Sequence, residues 1–114
     1  MSMQESWHSV CSRRDLVAEG GVCALVENQQ VAIFYLPEEQ PQVYALDNFD
    51  PLGGAAVLSR GIVGDLQGQL VVASPVYKDH FSLIDGRCLE NPVRLRVWPV
   101  RIAGDQVQVQ LPAD

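Results

Sequence analysis

Apolar residues come in short runs set apart by polar or glycine-bearing breaks, and this pattern repeats along most of the chain. Val22 to Val26 and Val31 to Leu36 are divided by the polar Glu27-Asn28-Gln29-Gln30, which predicts a β-hairpin. A polar loop from Pro37 to Pro41 leads into a third strand, Val43 to Leu46. Gly61 to Leu66 and Gln69 to Ala73 read as a second hairpin turning at Gln67-Gly68, and Phe81 to Ile84 as a short strand ended by Asp85-Gly86. Val93 to Val97 alternates apolar and basic residues. Val107 to Leu111 alternates apolar residues with glutamine, giving one dry and one wet face, and Gly104-Asp105 turns the chain between these two strands. Ser12-Arg-Arg-Asp15 has the capping spacing of a single helical turn ahead of Leu16. No longer window shows an apolar period of 3.6, so the expectation is an all-β sandwich of antiparallel sheets with little helix.

At 114 residues, the chain is expected to be one domain spanning 1–114, long enough to bury a real core. Its 47% hydrophobic and 19% charged content is that of a folded globular chain. A formal net charge of −6 argues against nucleic acid, whose phosphates demand a basic face, and against anionic membrane surfaces. The opening Met1 to Trp7 carries neither a cationic start nor an apolar run, so no signal peptide is expected. The run Val31 to Leu36 is far too short to span a bilayer. Cys11, Cys23 and Cys88 are odd in number and form no CxxC, which suits reduced, buried thiols in a cytoplasmic protein. His8 is expected to lie in a mobile start without a partner.

Two stretches, ALDNFDPLGG (Ala45 to Gly54) and VASPVYKDHFSL (Val72 to Leu83), carry a family resemblance. Ala45-Leu-Asp-Asn48, Gly54, Ser74-Pro75, Phe81-Ser-Leu83, Asp85-Gly86 and the closing Trp98 to Ile102, Gly104 and Val107 resemble a Rieske-type iron–sulfur domain over nearly the whole chain. Such domains hold their cluster with Cys-x-His in one loop and Cys-x-x-His in the next. The matching positions are Asp50, Leu52, Ser74 and Tyr77, with 21 residues between the two pairs. Together with Val57 to Gly61, Val71 to Pro75, Gly21 to Leu25 and Gln30 to Phe34, the loss of all four ligands resembles the small-subunit family of NAD(P)H-dependent assimilatory nitrite reductases, Rieske-like domains without a cluster.

The resemblance implies a Rieske-like fold with vestigial loops at about 46–54 and 73–82. It further implies a cytoplasmic subunit of an enzyme reducing nitrite to ammonium, whose large subunit carries FAD, siroheme and a [4Fe–4S] cluster. Residue chemistry agrees that this chain holds no [2Fe–2S] centre. Asp50 is a hard donor, Ser74 a poor ligand at neutral pH, Leu52 none, and Tyr77 offers only a phenol, a group whose unperturbed pKa of about 10 makes phenolate ligation costly. No metal ligand set is expected, Asp50, Asp79 and His80 being too scattered for zinc or iron. No catalytic residue is expected either: Pro75 removes the N–H that could serve an oxyanion hole beside Ser74, and no nucleotide-cradling glycine motif occurs.

By analogy with the exposed loop tip of Rieske domains, Phe49, Asp50, Leu52, Val76, Tyr77, Lys78, Asp79 and His80 are the docking candidates for the large subunit, with Asp47 adding charge. Arg94 and Arg96 beside Trp98 form a second candidate patch. The vacated cluster space is expected to be filled by Phe49, Leu52, Val76 and a buried Tyr77 ring, with Asp50 and Ser74 hydrogen-bonded to loop backbone. On that reading Tyr77→Ala costs about 2–4 kcal/mol. The rival reading is a stand-alone, cluster-less Rieske-like module that binds some other protein.

Overall fold

A computed structural model describes residues 6–112. The residues on which the signal-peptide expectation chiefly rests, 1–5, lie outside them. Eleven strands follow in chain order: β1 (His8–Ser12), β2 (Gly20–Val26), β3 (Gln29–Tyr35), β4 (Val43–Asp47), β5 (Phe49–Asp50), β6 (Ala55–Ala56), β7 (Ile62–Leu66), β8 (Gln69–Ala73), β9 (His80–Ser82), β10 (Val100–Ala103) and β11 (Gln106–Val109). They pair, always antiparallel, as β1-β11-β10, β2-β3-β4, β5-β6 and β7-β8-β9. The expected all-β architecture is what the chain adopts, and both hairpins fall where the polar breaks predict them.

The β2-β3-β4 sheet is the middle layer. From β3 and β4, Ala32, Phe34, Tyr44 and Leu46 join Leu58, Val72, Phe81, Leu83, Cys88 and Leu95 in one core. Val31, Ile33 and Ala45, on the opposite face, join Ala24, Val26, Trp98, Val107 and Val109 in a second core. A strand buried on both faces has no wet side to alternate with, so Val31 to Leu36 reads as an unbroken apolar run. β11 covers one face only, and its Val107 and Val109 are buried while Gln106 is exposed.

Ser12 caps a 3-10 turn over Arg13–Asp15, its hydroxyl accepting from the Arg14 N–H while Asp15 accepts from the Ser12 N–H. The S-x-x-D spacing therefore forms the expected turn. Three expectations are corrected. His8 lies in β1, registered opposite Val109, with Nε2 3.9 Å from the Glu27 carboxylate. The sequence Val93 to Val97 is not a continuous strand; it is held by isolated bridges from Arg94 to Arg87 and from Val97 to Leu46 and by single backbone bonds, among them the Asp47 N–H to the Arg96 carbonyl. β9 ends at Ser82, because the Ser82 hydroxyl accepts from the Ile84 N–H and bends the chain before the Asp85-Gly86 turn. Of the cysteines, which are all free, Cys88 is buried, Cys11 half-buried and Cys23 exposed. Burial pushes the thiols of Cys11 and Cys23 above their ordinary range, helped at Cys11 by the nearby Asp15.

The Asp47 side chain ties the 96–98 segment to β4. Its Oδ1 accepts from the Trp98 indole N–H at 2.9 Å, and its Oδ2 accepts from the Arg96 guanidinium at 2.9 Å. Arg96 also donates to Gln29 at 2.6 Å and lies 5.9 Å from the Trp98 ring centroid, so this arginine is already engaged within the fold. Arg94 donates to the Asp85 carbonyl at 3.1 Å.

Gly86 and Gly68 both sit in the left-handed region, with φ of +78° and +83°. A Cβ on Gly86 would stand 2.1 Å from the Leu95 carbonyl oxygen, whereas one on Gly68 meets nothing within 4 Å. Gly68→Ala is expected to cost about 1–2 kcal/mol, for backbone conformation alone. Gly86→Ala is expected to cost roughly 3 kcal/mol or more, because the Leu95 backbone must also move. Urea-unfolding midpoints of the two variants check the difference.

Candidate functional site

The loop between β4 and β7 begins at Asn48, which is 2% exposed. Its amide nitrogen donates to the Gln30 side chain at 2.9 Å and to the Ala56 carbonyl at 3.1 Å, while its Oδ1 accepts from the Ser59 N–H at 2.7 Å. One side chain thus fastens both ends of the loop to β3. Along β5, alternation turns Phe49 outward, 51% exposed, and buries Asp50 completely. Asp50 Oδ1 accepts from the N–H groups of Leu52 (2.8 Å) and Gly53 (3.0 Å), an Asx turn that folds the chain back on itself. The Gly54 N–H then donates to the Asp50 carbonyl at 2.7 Å, with Gly54 at φ +70°.

The second loop is closed by Ser74, 1% exposed. Its N–H donates to the Asp79 carbonyl and its own carbonyl accepts from the Lys78 N–H, both at 2.9 Å. The Ser74 hydroxyl accepts from the Val76 N–H at 3.3 Å and donates to Asp50 Oδ2 at 2.5 Å. The two loops therefore meet through a buried hydrogen bond. Beside it, Gly53 lies so close to Val76 that a Cβ would come within 2.8 Å of the valine side chain.

Of the four ligand positions, the fold brings Asp50 and Ser74 together and separates the other two. Leu52 is half-buried against the core that holds Phe34 and Phe81, and Tyr77 is 68% exposed. The expected packing account is corrected here: Tyr77 and Phe49 face solvent, and Asp50 and Ser74 occupy the space between the loops. These residues do not fit a centre held by two thiolates and two imidazoles. Asp50 and Ser74 are bonded to each other, Leu52 offers no donor atom, and Tyr77 points away.

Among the docking candidates, Phe49, Val76, Tyr77 and Lys78 are exposed, while Asp79 and His80 are half-buried. Asp50 is wholly internal and Leu52 mostly so, which removes Asp50 from any surface a partner could touch. Asp47 is occupied by Trp98 and Arg96.

Sequence reasoning missed Glu90. Its carboxylate accepts from the His80 backbone N–H at 2.8 Å and from the His80 ring at 2.7 Å, pinning the exit of the second loop. Burial pushes the Glu90 carboxyl up, but the hydrogen bonds and charge of His80 outweigh it, and the carboxyl lies below its ordinary range. Asp79, Cys88 and Glu90 place ligand atoms within 4.8 Å of one another. Asp79 already accepts from Asn91 at 2.9 Å, and the Cys88 thiol donates to Glu90 at 3.7 Å. Asp79 and His80 thus share a neighbourhood with Cys88 and Glu90, and Asp50 is not a member of that group. Only the folded chain brings residues 79–80 and 88–90 together.

With two self-closing loops in an all-β frame, the structure has the form of a Rieske-type domain. The model of the Rieske-like [2Fe–2S] domain family matches residues 6–110, and the chain belongs to that family. It is 47% identical over 105 residues to the nitrite reductase (NADH) small subunit of Escherichia coli K12, covering 91% of this chain and 96% of that one. Within the Rieske-like class, it therefore belongs to the nitrite reductase (NADH) small subunits. A crystal structure from Mycobacterium tuberculosis, assigned as an NADH-dependent nitrite reductase small subunit, superposes with a TM-score of 0.87 at 40% identity, covering 98% of this chain and all of that one. The chain is also 38% identical over 104 residues, 90% of its length, to a part of the Klebsiella oxytoca nitrite reductase [NAD(P)H] large subunit, a match spanning 11% of that protein.

Tyr77→Ala is expected to change unfolding stability by less than about 0.5 kcal/mol, because an exposed ring contributes little packing. Leu52→Ala, which opens space against the core, is expected to cost about 1–2 kcal/mol; chemical denaturation of both variants checks the ordering. The lowered Glu90 pKa means that the folded chain holds this carboxylate more firmly than the unfolded chain does. Its contribution is full above the unfolded pKa and disappears as pH falls through the lower folded value. Glu90→Gln should therefore flatten the fall of stability with acidification in the acidic range, as read from melting temperature against pH.

Proposed function

We propose that this chain is the small, cofactor-free subunit of a cytoplasmic nitrite reductase that uses NADH or NADPH to reduce nitrite to ammonium for nitrogen assimilation. It supports assembly or activity of a large subunit on which FAD, siroheme and a [4Fe–4S] cluster are expected. The observation that carries this reading is the 47% identity to the Escherichia coli small subunit over nearly its full length. The Klebsiella oxytoca match adds a second support: there, a domain of this kind is covalently part of the large chain. A domain joined in one organism and separate in another does its work against the same protein.

The donor set supports the cluster-free reading, since Asp50 and Ser74 are bonded to each other, Leu52 carries no ligand atom and Tyr77 is exposed. A cytoplasmic site agrees with three free cysteines. No helix among the described residues is long and apolar enough to cross a membrane. For docking, the reading favours the loop tip, where Phe49, Val76 and Tyr77 expose apolar side chains beside Lys78. Large apolar side chains held at a surface are characteristic of interaction sites. The patch of Arg94 and Arg96 is less suited, because both guanidinium groups already donate to Asp85 and Asp47.

The test is co-expression of the tagged chain with its cognate large subunit. The expected result is co-purification of a much larger flavin- and siroheme-bearing chain, with nitrite-dependent NADH or NADPH oxidation higher than for the large subunit alone. The small subunit by itself should be colourless and free of iron. Phe49→Ala with Tyr77→Ala should weaken association by about 10-fold or more without lowering the melting temperature. Failure to capture the large subunit, or a brown iron-containing small subunit, would overturn the proposal.

A further inference from the structure

We infer that Asp50 and Ser74 are positioning residues for the docking tip: their buried hydrogen bond holds the two loops in one arrangement without a metal centre between them. This rests on the reading of the tip as the docking face.

Each partner of the bond is tied by its own local contacts to the exposed group that it orients. Asp50 is fully buried next to exposed Phe49, and it fixes the following backbone through Leu52 and Gly53. Ser74 fixes Val76 through its hydroxyl, and its carbonyl holds Lys78 at φ +64°. Val76 in turn seats on Gly53, which has no Cβ to obstruct it. The direct side-chain bond between the loops is the one from Ser74 to Asp50. Removing it leaves two locally folded turns free to slide across the Gly53–Val76 contact.

Every polar side-chain atom of the pair has a hydrogen-bond partner within the protein. Among the described residues, no buried side-chain nitrogen or oxygen lacks a partner. A tip already ordered before encounter does not have to be ordered during it, which is how preorganisation raises affinity. A mobile tip presenting the same Phe49, Val76 and Tyr77 would touch its partner through the same side chains and still bind more weakly.

The experiment uses the full chain and its large subunit. Ser74→Ala removes the bridge and the acceptor of the Val76 N–H but leaves the backbone–backbone bonds of both loops and the Asp50 turn; Asp50→Ala removes the bridge and the first turn. Amide hydrogen exchange on the free small subunit should show faster exchange in Ser74→Ala at Leu52 and Gly53, which lie across the bridge and keep their own acceptor on Asp50, with the β2-β3-β4 sheet unchanged. Affinity for the large subunit should fall by about 10-fold. Adding Ser74→Ala to Asp50→Ala should weaken binding little further, as expected for two residues acting through one bond. Unchanged exchange at the loops would overturn the inference, as would faster exchange with unchanged affinity. Tyr77→Ala, which removes no hydrogen bond of either residue, locates the fault. If it weakens binding, the tip docks but the bridge does not govern it; if it has no effect, the docking face lies elsewhere.

Discussion

Everything in this fold depends on one sheet being buried on both sides. β3 and β4 send alternate side chains into two separate cores, with Phe34 and Leu46 in one and Ile33 and Ala45 in the other. Each outer sheet is thereby held to the same pair of strands. A one-residue slip of β3 would exchange its side chains between the two cores, putting Phe34 where Ile33 fits. Close packing on both sides penalises that slip, so the register of the middle sheet fixes the rest.

The loops inherit their positions from that register. β4 ends at Asp47 and Asn48, whose side chains bond in different directions: Asp47 to Trp98 and Arg96, Asn48 to Gln30, Ala56 and Ser59. These bonds set where the first loop leaves the sheet. β8 and the 88–90 segment do the same for the second loop, through Ala73 and Glu90. The two loops then arrive close enough for a serine hydroxyl to reach a buried carboxylate. Where a Rieske centre would join the loops through metal–ligand bonds, here they are joined by a hydrogen bond and a glycine–valine contact. The result is a scaffold whose tip is ordered by its own side chains and whose outward surface is apolar.

Legibility varied with the range of the interaction. Both hairpins, the Ser12 turn and the low helix content could be read because each depends on neighbours in sequence. The two-residue hairpin turns at Glu27-Asn28 and Gln67-Gly68 sit between apolar runs that announce them. Val93 to Val97 misled, because alternation of apolar and basic residues is also what a half-covered extended segment shows when it meets its neighbours through isolated bridges and single bonds and not along a continuous ladder. The packing of the vacated site misled in the opposite sense. Tyr77 and Phe49 are large and apolar, but β5 alternation and the Ser74 turn aim them outward, and two polar side chains take the interior. Glu90 gave no signal, since its partner His80 is 10 residues away and joined to it only by folding.

Sequence alone determined the two hairpins, the turn positions, the family resemblance and the donor chemistry at the four ligand positions. These are properties of single residues or of short neighbourhoods, and folding does not change what atoms a leucine or serine carries. Tertiary structure alone decided that Asp50 and Ser74 would meet, that Leu52 would turn inward and Tyr77 outward, and that Glu90 would clasp His80. Those outcomes depend on where two distant loops are delivered by a sheet packed on both faces, and on the rule that a buried carboxylate must find its donors nearby.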